Sequence, residues 1–403
     1  MRACADLVGD ARVVGIGENN HHIAEFGALR LELVEFLVAE LGFRIVAMES
    51  GFAEGALVDD WVRGGDGGFP AADGFTFRFG DAPEVHELMA RLRERGDVRY
   101  SGLDVPGSGG SPLAALNRLR LWVGGLDGVD DTPIARAIEA VAAATTGYAS
   151  PNNGVAAGRY AALGDVERDA ATAAAARLLM QVEARSDDPV ARHLALGVVR
   201  LDEQLREFGA LGSPDPPPLA VSSRDLYLAV SSRDLYLAVS SRDLYLAVSS
   251  RDLYMADSVR LLLRESDARV VLLQHNGHLQ RVPLQLVPGV RVRSCGTYLA
   301  AELGEAYRAI GVTAVSGTTT TVGLDDSARH GIVVGTQELT PPDPDGIEAA
   351  LAADAPVLAD LRPRRGKSGP SSIRHAHITS PVDVATGYDG IVCLPTMSPA
   401  FTG

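Results

Sequence analysis

Cysteine is scarce in this 403-residue chain, which holds only Cys4, Cys295 and Cys393. Three thiols so far apart cannot build a disulfide framework or a cysteine-based zinc site, so isolated thiols are expected. Long hydrophobic runs are missing too: nothing approaches the roughly 18 consecutive apolar residues of a membrane span. The opening MRACADLVGDARVV lacks the apolar stretch and cleavage site of a signal peptide, so a cytoplasmic location with no membrane partner is expected. Basic charge is in deficit. With 37 Lys and Arg against 52 Asp and Glu, the formal net charge is −15. That repels phosphate backbones and argues against a nucleic-acid partner. The short basic stretch Arg362–Lys367 reads as a solvated loop.

Familiar catalytic motifs are absent as well. There is no G-x-S-x-G elbow and no H-E-x-x-H. Gly366-Lys367-Ser368 lacks the upstream glycine of a phosphate loop, and Gly15-Ile16-Gly17-Glu18 lacks the third glycine of a dinucleotide fingerprint.

What the chain does have is a set of apolar runs that end in acids or histidines. Ala11–Gly17 leads into Glu18-Asn19-Asn20-His21-His22, and Arg44–Met48 ends in Glu49. Val98–Leu103 ends in Asp104, and Val270–Gln274 in His275-Asn276-Gly277-His278. In an open α/β sheet, ligands bind beyond the carboxyl ends of the strands. Four such ends therefore describe one site with the side chains that general acid–base catalysis needs.

An apolar content of 46% is ordinary for a globular protein, and the length allows two or three domains. Residues 1–110 read as the first part of an α/β core. Its first helix, about His22–Leu41, repeats Ile23, Phe26, Leu33, Leu37 and Leu41 at a period near 3.6, and Gly42 stops it. Arg30 falls inside that apolar stripe, where a guanidinium needs a partner; Glu18 and Glu49 are the natural ones. Residues 111–212 contain no convincing strand and read as an all-helical insertion. The Gly/Asp-rich stretch Gly64–Gly74 reads as a loop over the substrate mouth.

Residues 213–254 contain four exact copies of LAVSSRDLY, spanning 219–254. A nine-residue period turns a helix by half a revolution and reverses a strand's face, so successive copies cannot serve one core. Three copies read as a slippage product in a protruding or loosely ordered segment. The last copy fits the fold, because Arg251-Asp252 leads into a helix just before the His275 strand. Residues 255–403 complete the core and add an α+β elaboration, with strand candidates Val290–Cys295, Ile332–Gly335 and Gly390–Leu394. The expected class is α/β: a three-layer open sheet with a helical insertion and a smaller α+β portion. His86, His193, His330, His375 and His377 belong to no constellation and read as surface residues.

These motifs together resemble the erythromycin esterase family, which includes homologues labelled succinoglycan biosynthesis proteins. Gly17-Glu18-Asn19-Asn20-His21 with Glu25-Phe26 and Arg30, then Ala47-Met48-Glu49-Ser50, carry the resemblance. Gly102-Leu103-Asp104, Arg251-Asp252 with Met255-Ala256, Gln274-His275-Asn276 with His278, and Tyr388-Asp389-Gly390 follow in the family's order. The resemblance implies hydrolysis of a macrolide lactone or a related ester, hence antibiotic resistance, with water activated by a histidine and no covalent serine. His21 matches that base. Glu18, Arg30, Glu49, His275 and His278 match other active-site positions, and His22, Asp104, Asn276 and Arg251 are candidate substrate-binding residues.

No cofactor is expected, and the partner is a small-molecule ester or macrolactone. Two departures stand out. His22 occupies a position that is usually glycine, which leaves open which adjacent imidazole is the base. The chain also begins so close to its first strand that the N-terminal helix of relatives is expected to be missing. Two alternatives stay open: a metal-dependent hydrolase using the same His/Glu cluster, and a homologue impaired by the 27 extra repeat residues that only binds ligand.

Overall fold

A computed structural model of the chain describes residues 1–126, 131–211, 245–287, 290–324, 328 and 331–402. Repeat residues 219–244 and His330 lie outside them. One eight-stranded, mostly parallel sheet organises the molecule. Its strands are β1 (Val13–Ile16), β2 (Phe43–Gly51), β3 (Arg99–Asp104), β5 (Arg269–Leu273), β8 (Tyr307–Leu324), β9 (Ile332–Glu338), β10 (Val357–Asp360) and β13 (Gly390–Met397). The order is β10-β13-β8-β1-β5-β2-β3, with β9 antiparallel on β8. β1 pairs in parallel with both β5 and β8. Its carboxyl end therefore opens between two strands from the far half of the chain, where such sheets bind ligands.

Helices cover both faces, giving the three layers that the sequence implies. On one face α2 (Ala24–Glu40) and α4 (Pro83–Arg95) bury Phe26, Leu33, Leu37, Met89 and Leu92 against Val14, Ile16 and Val46. On the other, α10 (Ser250–Glu265) and α12 (Cys295–Leu303) bury Met255, Val259 and Leu299 against Val13, Val270 and Leu272. The β-strand side chains are buried on both faces, which is why these runs read as continuous apolar stretches rather than alternating ones. α3 (Phe52–Val62) follows β2 directly. Residues 113–211 supply five helices: α5 (Leu113–Val123), α6 (Thr132–Thr145), α7 (Asn153–Ala162), α8 (Asp165–Arg185) and α9 (Pro189–Leu211).

Several expectations need correction. A seven-residue helix, α1 (Arg2–Val8), precedes β1 and tucks Leu7 and Val8 into the core. The long strand β8 carries no strong alternating signal, yet it is central. The strand β7 (Val290–Arg293) pairs with β4 (Tyr245–Val248) and β6 (Leu284–Val287) in a separate small sheet, and β11 (Ser372–His375) pairs with β12 (Ile378–Pro381) in another. The expectation of isolated thiols holds: all three cysteines are buried and free. No helix among the described residues is long and apolar enough to cross a membrane.

Candidate active site

The strand ends do converge. Directly after β1, Glu18 is buried between two partners: one carboxylate oxygen lies 2.8 Å from His21 Nδ1 and the other 2.8 Å from Arg30 Nη1. Burial alone would raise its pKa, but Arg30 and then His21 outweigh that and hold it at about 2. An ionised carboxylate can only accept, so His21 Nδ1 carries the proton and Nε2 keeps its lone pair. That nitrogen faces the cleft, 3.9 Å from Glu49 Oε1. Arg30 also donates from Nε to the Gly17 carbonyl and from Nη2 to the Ile16 and Gln274 carbonyls. It pairs with Glu18 and not with Glu49, and it fixes the carboxylate without reaching the cleft.

The long overhang of β8 holds the loop that carries His21. Asn20 donates to Thr319 Oγ1 and to Thr320, whose hydroxyl donates to the His21 carbonyl at 2.6 Å. The ring of Phe79 meets that of His21 edge-on at 4.9 Å.

A second group assembles from β2, β3, α10 and the short helix α11 (Asn276–Leu279). Arg251 makes a forked contact to both Asp104 oxygens through Nε and Nη2 and donates from Nη2 to Glu49 at 2.8 Å. His278 lies between Asp252 (2.7 Å from Nδ1) and Glu49 (3.2 Å from Nε2). Burial disfavours its charge, but the two carboxylates prevail and lift its pKa to about 10, so it is an imidazolium at neutral pH. Glu49 is fully enclosed; His278 and Arg251 overcome the burial and hold it well below the usual carboxylate range. Counting Glu18, Glu49, Asp104 and Asp252 against Arg30, Arg251 and His278 leaves the cluster one negative charge in excess when His21 is neutral.

Other expected residues play different parts. His275 accepts the Gly277 N–H at Nδ1 and donates from Nε2 to the Asn19 carbonyl at 2.8 Å. Both ring nitrogens are therefore engaged by backbone, and burial lowers its pKa to about 4. It lines the cleft as a neutral wall. Asn276 does not face the substrate side: its amide is bonded to both backbone groups of Val312, locking α11 to β8. Asp104 is completely buried and is linked to the cleft only through Arg251.

His22 turns away. Its φ of 59° is the left-handed conformation that favours glycine, and its ring is buried against Phe79 and Phe401. Burial and the neighbouring His21 lower its pKa to about 4. The Gly64–Gly74 loop does not cover the cleft; Phe77 just beyond it does. His193 and His375 are buried rather than on the surface, and the His375 ring packs 4.8 Å from that of His275.

Sequence reasoning passed over Asp252 as a site residue, although it stood in the Arg251-Asp252 motif. It also missed Asn20, although that residue stood in the Gly17–His21 motif, and Phe77, Asn152 and Thr320, for which no local pattern gives a signal. The cleft has a volume of about 390 Å³ and is lined by His21, Glu49, Arg251, His275, His278 and Phe77, with Asn20, Asn152, Asn153, Val322 and Ile332 completing the wall. No serine, threonine or cysteine is among those lining residues. Among the described residues, no three His, Cys, Asp or Glu side chains are arranged to hold one metal ion.

Comparison with known proteins agrees with this architecture. Erythromycin esterase type II of Escherichia coli is 26% identical over 410 residues, covering 96% of this chain and 89% of the relative. Among solved structures, a histidine-to-asparagine mutant of the erythromycin esterase EreC in its open conformation shares the fold, with a TM-score of 0.77 at 19% identity over 99% of this chain and 94% of that one. A succinoglycan biosynthesis protein follows with a TM-score of 0.70 at 17% identity over 99% and 91% of the two chains. The profile described as erythromycin esterase matches residues 38–397. With that match spanning most of its length, the chain belongs to the erythromycin esterase family and is a carboxylic-ester hydrolase.

Proposed function

We propose that this hydrolase opens a macrolide lactone, or a closely related ester, with water activated by His21. The observation that carries the reading is the Glu18–His21 contact, which leaves the basic Nε2 exposed to the cleft. A water beside Nε2 gives its proton to the imidazole as its oxygen bonds to the ester carbonyl carbon. Glu18 stabilises the imidazolium that forms. Arg251 and His278, both cationic and both lining the cleft, face the developing oxyanion. As the carbon–oxygen bond to the alcohol breaks, His21 returns its proton to the departing alkoxide. The products are a carboxylate and an alcohol, joined in one molecule when the substrate is a lactone.

The absence of Ser, Thr and Cys from the lining among the described residues supports direct attack by water over an acyl-enzyme. The reading requires no metal: His278 and His275 already have both ring nitrogens engaged by protein groups. Incubation with erythromycin followed by mass spectrometry tests the proposal. An 18-dalton gain, abolished in His21→Ala, is expected. Binding without mass change would leave only the ligand-binding alternative, and loss of activity on chelation with a stoichiometric metal would favour the metallohydrolase.

A further inference from the structure

A second, larger cavity of about 880 Å³ adjoins the cleft, between α3, α5 and the segment 72–77. Phe77 lines both spaces, and the wall passes from Pro151 in one to Asn152 in the other. The Phe77 backbone is unusual: Phe77 and Arg78 are both left-handed, with φ of 54° and 61°. For a bulky residue that conformation is strained, and such outliers persist where surrounding structure imposes them. Here Arg78 is tied to Asp81 and to the Ile332 carbonyl, while Arg251 lies over the Phe77 ring at 5.3 Å. The strained pair places an aromatic partition between the reacting groups and the larger cavity.

The rim of that cavity is apolar to an uncommon degree. Nine large hydrophobic side chains are exposed among the described residues; Leu57, Leu113 and Leu121 border this one cavity and Val322 lines the cleft. Exposed apolar area concentrated next to a reactive site marks ligand contact rather than ordinary surface. The polar lining is acidic, with Glu54, Asp60 and Asp73 against Arg118. Glu54 accepts the Gly107 N–H at one oxygen, while its buried Oε2 has no hydrogen-bond partner. Burial also lifts the Glu54 pKa to about 7, so near neutral pH the repulsion of an anion falls to Asp60 and Asp73.

We infer that this cavity is the specificity subsite of the esterase: it holds the bulky, apolar and non-anionic body of the ester, while Phe77 confines the scissile group to the neighbouring cleft. The inference rests on the hydrolase reading for the identity of the bound group, but its test does not depend on turnover. Leu113 is half-exposed at the first position of α5, where an aspartate suits the helix dipole and leaves the fold intact.

Calorimetry with the non-hydrolysable N-decylacetamide should show binding to the whole chain, at least about tenfold weaker in Leu113→Asp. The analogue ending in a carboxylate should bind wild type about tenfold more weakly than the neutral one. Equal affinities for wild type and variant, equal affinities for both analogues, or no binding to wild type would each overturn the subsite. Hydrolysis of p-nitrophenyl acetate and decanoate completes the experiment: the preference for decanoate over acetate should fall in Leu113→Asp. Expected binding with no ester cleaved would uphold the subsite and refute the hydrolase mechanism.

Discussion

Replacing Glu18 with glutamine exchanges one oxygen for an amino group at constant shape, and the structure dictates which way the amide must sit. Arg30 can only donate, and it lies 2.8 Å from one of the two positions. The amide oxygen therefore faces Arg30, which puts the NH₂ group against His21 Nδ1. That nitrogen must then accept, its proton moves to Nε2, and the lone pair leaves the cleft. A triad histidine held in the wrong tautomer loses about 10⁴-fold in kcat, and positioned acid–base groups in general contribute about 10²–10⁴-fold. Glu18→Gln should thus lower kcat for ester hydrolysis by about 10³-fold or more, with KM little changed. The buried Arg30 keeps a hydrogen bond but loses its counter-charge, a cost of about 1–3 kcal/mol in unfolding free energy. Steady-state kinetics and urea denaturation read the two effects separately. A variant destabilised by that amount but retaining wild-type kcat would refute the assignment of His21 as base and of Glu18 as the group that sets its tautomer.

Three further outcomes follow from the same geometry. His278 has its pKa raised from 6.5 to about 10, so its ion pairs stabilise the fold fully below pH 6.5 and that contribution is lost as pH rises through about 10. Activity should decline over the same alkaline range, and Asp252→Asn should move the decline at least about one unit toward acid; an unmoved alkaline limb in the rate profile would rule out His278. His275→Leu leaves the Asn19 carbonyl and Gly277 N–H without partners, each costing about 1–3 kcal/mol, so thermal unfolding should shift far more than kcat measured on the folded fraction. Deleting 219–245 removes three repeat copies and retains Leu246–Tyr254; kcat/KM within about twofold of the parent is expected, since Arg251 and Asp252 both lie in the retained copy, and a large loss would show that the earlier copies contribute to the site.

Much of the core could be read from the chain because its strands are short, apolar and followed at once by polar residues. Arg30 declared its own burial: one guanidinium in an otherwise apolar helical stripe demanded a carboxylate, and Glu18 supplies it. β8 stayed hidden for the opposite reason. Its run of threonines and glycines gives neither a clean period of two nor an unbroken apolar stretch, and it is a strand because β1 and β13 flank it. The site divides along the same line. Residues at strand ends were found by position, but whether each faces the cleft depends on side-chain direction and on which backbone groups claim its hydrogen bonds. Asn276 and His275 look like ligand-contacting groups in sequence; Val312, Gly277 and Asn19 had already engaged them, and those partners lie too far along the chain, or are too generic, to leave a pattern.

The loop bearing His21 is tethered by a hydroxyl that enters the chain 299 residues later. During synthesis the ribosome thus releases His21 long before its anchor, and the loop cannot settle until β8 has been made. For anyone engineering this scaffold, a threonine on a distant hairpin has to be treated with the same care as the imidazole it steadies.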